Sequence, residues 1–181
     1  MTNNYVLELK NITKVFPGVK ALDNVNFRLK KGEIHALVGE NGAGKSTLIK
    51  ILTGVYQPDE GKIFIDGKEV SLLNPQEAFS HGINVVHQER NLVPTFTVAE
   101  NIMLEQYCRK MASKINQKKI NQDAQKYIDL VGLDFEPTKN VEELTTGKQQ
   151  LVEIAKSLSS EAKIIFLDEP TASISVKEGE D

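Results

Sequence analysis

Gly39-Glu40-Asn41-Gly42-Ala43-Gly44-Lys45-Ser46 is the stretch that decides the fold. The octet satisfies G-x-x-x-x-G-K-[S/T] in full, and its flanks suit the pattern. Ahead of it, Ile34-His35-Ala36-Leu37-Val38 reads as a buried parallel strand; behind it, a helix is predicted from about Lys45 to Thr53. Gly39, Gly42 and Gly44 let backbone N–H groups turn inward on phosphate oxygens with no Cβ in the way. A helix N-terminus adds its partial positive charge. Lys45 offers a point charge to the terminal phosphates of a nucleotide, and the Ser46 hydroxyl can ligate magnesium. Asn41, Ala43 and Thr47 complete the candidate contacts. A turn that merely joined a strand to a helix would need no Lys-Ser pair at its end, so nucleotide binding is the reading that uses the whole motif.

Far down the chain, Ile164-Ile165-Phe166-Leu167-Asp168-Glu169 is an apolar strand ending in two acids. A buried parallel strand delivers such an Asp at the ligand-binding rim of its sheet, so Asp168 is the candidate magnesium ligand, direct or through water. Glu169 is the candidate general base that polarises an attacking water, which favours ATP hydrolysis over binding alone.

Between and before these motifs the punctuation is regular. Val25, Phe27 and Leu29 alternate with Asn26, Arg28 and Lys30, the period of a half-buried antiparallel strand. A strand over Lys62–Asp66 meets the hairpin signal Asp66-Gly67. Asn74-Pro75 caps a short helix that Gly82 can end, and Ile83–His87 reads as another buried strand. Thr97-Val98-Ala99-Glu100 is a capping box for a helix through about Tyr107. Ile120, Ala124, Tyr127, Ile128 and Val131 recur at helical spacing before Gly132. Thr146-Gly147-Lys148-Gln149 reads as a second capping box, ahead of Leu151, Ile154, Ala155 and Leu158 on one face. Strands interleaved with helices predict an α/β fold with an antiparallel layer in front and a helical insertion.

Composition sets the outer limits. The 181 residues carry 22 Lys+Arg and 25 Asp+Glu, net −3, with 40% hydrophobic and 26% charged residues. Such a chain is neither disordered nor collagen-like, and with Cys108 as its only cysteine it holds no intrachain disulfide. Mild acidity and the lack of a basic patch interleaved with aromatics argue against a nucleic-acid partner. The opening MTNNYVLELK lacks the layout of a signal peptide, and no apolar run approaches the ~18 residues of a membrane span.

With these residues in place, the sequence resembles the ATP-binding-cassette (ABC) ATPases of the P-loop NTPase class over nearly its whole length. Leu144-Thr145-Thr146-Gly147-Lys148-Gln149-Gln150 stands where that family carries its LSGGQ signature. Gln88 stands at the Q-loop glutamine, which the resemblance counts among the catalytic and magnesium-contacting residues. Phe16 stands at the aromatic that stacks on adenine. Leu151–Ser159 is similar to the bacterial monosaccharide-importer ATPases of the ribose, galactose and xylose types, which usually hold two cassettes in one chain.

The resemblance implies one ABC ATPase domain with a nucleotide-binding core over 1–88 and 161–181 and a helical subdomain over 89–160. It also implies ATP and Mg2+ as ligands, and head-to-tail closure with a second cassette in which Thr145 and Gly147 face the partner's γ-phosphate. Closure would drive transmembrane permease subunits at the cytoplasmic face of the membrane, fed indirectly by an external substrate-binding protein. The other reading is a regulatory cassette that closes on ATP without productive hydrolysis; Glu169 favours the enzyme.

Three departures accompany the resemblance. Thr145, Thr146 and Lys148 replace the usual Ser, Gly and Gln of the signature, and Ser175 stands where an Asp is common. The family's switch histidine would lie beyond Asp181; His35, His81 and His87 cannot serve. The 181 residues are therefore expected to be a C-terminally truncated cassette, poorly stable and inactive in steady turnover.

Overall fold

The computed structural model describes residues 4–86, 91–109, 116–132, 134 and 136–167. The chain divides into two compact units, Met1–Ile83 and Asn84–Asp181.

The first unit is built on an antiparallel sheet of order β2-β1-β3-β4, with β1 over Tyr5–Phe16, β2 over Val19–Lys30, β3 over Glu60–Ile65 and β4 over Lys68–Val70. β2 shows the alternation read from the sequence: Val25, Phe27 and Leu29 are half-buried while Asn26, Arg28 and Lys30 face solvent. β1 is paired on both edges, by β2 and β3, and buries Val6, Leu7, Glu8 and Leu9 in succession. Its buried Glu8 carboxylate receives Lys10 Nζ at 3.0 Å and Arg28 Nε at 2.7 Å. Lys10 first, then Arg28, hold that carboxyl below the usual glutamate range against the opposing effect of burial.

β1 and β2 run twelve residues each. They bend where Asn11 (φ 55°) and Asn24 (φ 52°) enter the left-handed region, which asparagine tolerates well. Asn11 N donates to Asn26 Oδ1 at 3.1 Å, Asn24 N to Thr13 Oγ1 at 3.2 Å, and Asn26 Nδ2 to Asn24 O at 3.0 Å. The shifts in register are thus filled with hydrogen bonds, and the hairpin bends instead of ending. Asp66 and Gly67, both at positive φ, turn β3 into β4 as their sequence predicts.

Helix α1 (Lys45–Leu52) buries Leu48, Ile51 and Leu52. Helix α2 (Pro75–Ser80) starts at Asn74, whose side chain accepts from Glu77 N at 2.9 Å. One expectation fails in this unit. Ile34–Val38 forms no strand: no described strand pairs with it, Ile34 is fully exposed and Val38 is 88% exposed. An apolar run of this kind is held as a strand only by neighbours that take its backbone groups and cover its faces, and none of the described strands does so.

In the second unit β5 (Ile83–Val86) pairs with β6 (Ile164–Leu167). The core is helical: Val98, Ala99, Ile102 and Met103 from α3 (Val98–Arg109), Ile120, Ala124 and Ile128 from α4 (Gln117–Leu130), and Val152 and Ala155 from α5 (Thr146–Ser159). The box that opens α3 is closed both ways, Thr97 N donating to Glu100 Oε2 at 2.8 Å and Glu100 N to Thr97 Oγ1 at 3.2 Å. Fully buried Asn101 accepts from Val93 N at 2.7 Å and donates to Val93 O at 3.0 Å, fixing the approach to the helix. On α5 the predicted stripe is packed in part. Ala155 is buried and Leu151, half-buried, packs against the core; Val152 and Ser159 are buried beside them, whereas Ile154 and Leu158 are half-exposed.

Candidate functional site

The Gly39–Ser46 segment is a loop that ends in the first turn of α1. Gly44 occupies the N-cap position at φ 87°, and no side chain caps the helix. First-turn amides of an α-helix have no partner within the helix, and here no side-chain cap takes them. Ala43 N donates to Glu40 O at 3.1 Å and Leu48 N to Gly44 O at 2.9 Å, closing the turn. The N–H groups of Lys45, Ser46 and Thr47 lie between these bonds, at the positive end of the helix dipole.

Lys45 is folded back over this loop: Nζ donates to Gly39 O at 2.6 Å and to Glu40 O at 2.9 Å. The ammonium is therefore held by neutral carbonyls, which an anionic oxygen can replace with a stronger, charge-assisted bond. Ser46 is exposed and Thr47 half-buried on the same turn.

The loop sits against β2. A Cβ on Gly44 would lie 2.6 Å from Ala21 O and 2.7 Å from Leu22 Cδ2, so only glycine fits this approach. Leu22 pairs with Lys14 on β1. Phe16, two residues further on, is thus about 7 Å along the strand from that level at the rise of an extended chain. Its half-buried ring meets Tyr56 edge-on, with centroids 5.3 Å apart.

The signature segment belongs to the second unit. Its helix cap is Thr145, one residue earlier than the predicted box: the Thr145 side chain accepts from Lys148 N at 3.5 Å, and α5 begins at Thr146. Gln149 Nε2 donates to Val141 O at 2.9 Å and Leu144 O at 3.1 Å, bracing the 3-10 turn Val141–Glu143 that precedes the signature. Thr145, Thr146 and Lys148 are exposed and Gly147 is buried. Further along α5, the buried Glu153 carboxylate accepts from Asn91 N while Lys156 Nζ donates to Asn91 O at 2.8 Å. These clamps carry no sequence motif.

Gln88, Asp168, Glu169 and Ser175 lie outside the described residues. Among the described residues no group of three or more His, Cys, Asp or Glu side chains could hold a metal ion. Ser46 is the one described member of the predicted magnesium set, whose side chains all offer oxygen, the donor type that magnesium requires.

The sequence profile of the ABC transporter family matches residues 22–172. The chain is 54% identical over 173 residues to a xylose import ATP-binding protein of Geobacillus kaustophilus, covering 94% of this chain and 34% of that protein. It is 46% identical over 180 residues to a ribose import ATP-binding protein of Rhodopirellula baltica, covering 99% of this chain and 35% of that protein. The chain thus spans about a third of the length of these curated relatives. Among solved structures, an ATP-binding cassette of an ABC transporter in its ADP conformation superposes with a TM-score of 0.81 at 30% identity, over 94% of this chain and 71% of that one. A dimeric cassette in a post-hydrolysis state bound to ADP and phosphate gives 0.75 at 31% identity, over 96% and 78%.

Proposed function

The chain belongs to the ABC transporter family, and from that premise we propose that it binds and hydrolyses ATP to energise an importer, its cargo a monosaccharide. Import of xylose and ribose is what the names of its relatives describe. The observation that carries the reading is the phosphate loop itself: a helix start capped by glycine alone, with the Lys45 ammonium resting on two loop carbonyls.

In this mechanism Lys45 exchanges Gly39 O and Glu40 O for oxygens of the terminal phosphates, and the amides of the first turn of α1 hold the remaining ones. Ser46, Asp168 and Gln88 would hold Mg2+, which offsets phosphate charge when bound. Glu169 takes a proton from water as its oxygen attacks the γ-phosphorus in line; the bond to the β-γ bridging oxygen breaks, giving ADP and phosphate. Phe16 stacks on the base.

Across a head-to-tail pair, Thr145 and the first-turn amides of α5, that of Gly147 included, face the γ-phosphate of the other cassette. The Thr145 oxygen accepts from Lys148 N, which leaves its O–H free to donate. The core over 1–88 and 161–181 and the helical part over 89–160 then divide nucleotide binding from coupling to permease subunits. No helix among the described residues is long and apolar enough to cross a membrane; the proposed place is the cytoplasmic face, held there by the permease.

A single-turnover measurement tests the chemistry. Mixed with stoichiometric Mg-ATP, the protein releases phosphate, and Glu169→Gln slows that release about a hundredfold while leaving ATP affinity within a factor of about two. Equal rates in the two proteins would contradict the role of Glu169.

A further inference from the structure

We infer that Tyr56 and Asp59 are positioning residues for the base: they hold the Phe16 ring in the orientation that stacks on the nucleotide. The inference rests on the nucleotide reading above and adds to it two residues that carry no motif.

Phe16 is the last residue of β1, paired with Val19 across a tight turn. A ring at such a strand end is held by little of its own strand. Asp59 supplies the backbone restraint. Its N–H donates to Thr13 O at 2.9 Å, its Oδ2 accepts from Val15 N at 2.7 Å, and its Oδ1 accepts from Lys14 Nζ at 2.9 Å. Three successive residues before Phe16 are thereby tied to one side chain and its own amide. The Lys14 ammonium, and then the Val15 N–H, hold the Asp59 carboxyl below the usual aspartate range, so it stays ionised in this bracket at neutral pH.

Tyr56 supplies the ring restraint. The two rings meet at 68°, in the edge-on arrangement that aromatic pairs favour. Tyr56 is itself fixed to the phosphate-loop helix: its N–H donates to Lys50 O at 3.0 Å, and Lys50 Nζ lies 5.4 Å from its ring centroid. The short helix α1 therefore starts at the phosphate loop and, just past its far end, carries the ring that braces Phe16. Phosphate grip and base platform are linked through one rigid element, and the ordering of Phe16 is complete before ligand arrives.

Equilibrium binding of Mg-ATP and of Mg-tripolyphosphate, which lacks a base, separates the possibilities. Tyr56→Leu and Asp59→Asn are expected to weaken ATP about fivefold and to leave tripolyphosphate within about twofold; Tyr56→Phe, which keeps the ring, binds both as the wild type does. If ATP and tripolyphosphate weaken together in Tyr56→Leu and Asp59→Asn, these residues support the loop's fold and the inference is overturned. It is overturned too if neither ligand responds. Wild-type protein that binds tripolyphosphate as tightly as ATP would remove the stacking role of Phe16 while leaving the phosphate loop intact, and wild-type protein that binds neither would remove the nucleotide reading beneath both.

Discussion

Replacing Lys45 with alanine lowers the affinity of the protein for Mg-ATP about a hundredfold and abolishes phosphate release. The Lys45 ammonium reaches Gly39 O at 2.6 Å and Glu40 O at 2.9 Å, so it serves two purposes. In the free protein it closes the loop on itself. With nucleotide present it trades neutral carbonyls for charged phosphate oxygens. A hydrogen bond to a charged group contributes about 1.5–3 kcal/mol net, and each 1.4 kcal/mol is a factor of about ten in affinity; the upper part of that range gives the hundredfold loss. Lys45→Arg keeps the charge but not the compact head that fits over the loop carbonyls, so it recovers only part of the affinity. Calorimetric titration decides the matter, and equal affinity of wild type and Lys45→Ala would remove the phosphate-loop argument.

Gly44→Ala is the second large effect, and Gly42→Ala is its control. Both glycines have left-handed backbones, φ 87° and 86°, so both substitutions carry the ~1–2 kcal/mol that an L residue loses in that region. Their surroundings differ. A Cβ at Gly42 meets nothing within 4 Å, while at Gly44 it would stand 2.6 Å from Ala21 O, a backbone atom of a paired strand that cannot swing aside. Gly44→Ala must therefore push the start of α1 away from β2 and re-aim the Lys45, Ser46 and Thr47 amides. The expected result is a loss of about 3–4 kcal/mol in unfolding free energy, within the range of strain and overpacking effects, together with loss of measurable ATP binding. Gly42→Ala folds with about a third of that cost and keeps ATP binding within about tenfold. Denaturant unfolding and titration of the two variants check the order; a Gly42→Ala protein damaged as severely as Gly44→Ala would contradict the argument.

Where the signal was local, the sequence was readable. The Asn74 and Thr97 caps and the Asp66-Gly67 turn each involve groups within four residues, and each is present. The helical spacing of Ile120, Ala124 and Ile128 likewise lands on the packed side of α4. What depends on neighbours was harder. Ile34–Val38 has the composition of a buried strand, but pairing is a property of two strands, and no described one pairs with it. α5 is apolar on more than one side, so spacing found Leu151 and Ala155 but could not choose Val152 over Ile154 and Leu158. Thr145 and Thr146 are equally good caps on paper; the extended backbone of Leu144 and Thr145 (ψ 148° and 159°) puts the helix start after Thr145. Within the candidate site the loop was legible because its chemistry is written in contiguous residues. Tyr56 and Asp59 were not, since what links them to Phe16 is the return of the chain from α1 to β3.

The claim on which everything else rests is that the backbone amides at the start of α1 grip a triphosphate. Amide proton resonances report this directly, because hydrogen bonding to an anionic oxygen moves them downfield. In a titration of the isotope-labelled protein with Mg-ATP, the amides of Gly42, Gly44, Lys45, Ser46 and Thr47 are predicted to shift downfield together, and Mg-tripolyphosphate is predicted to reproduce the pattern. Saturable ATP binding with those five resonances unmoved would contradict the account.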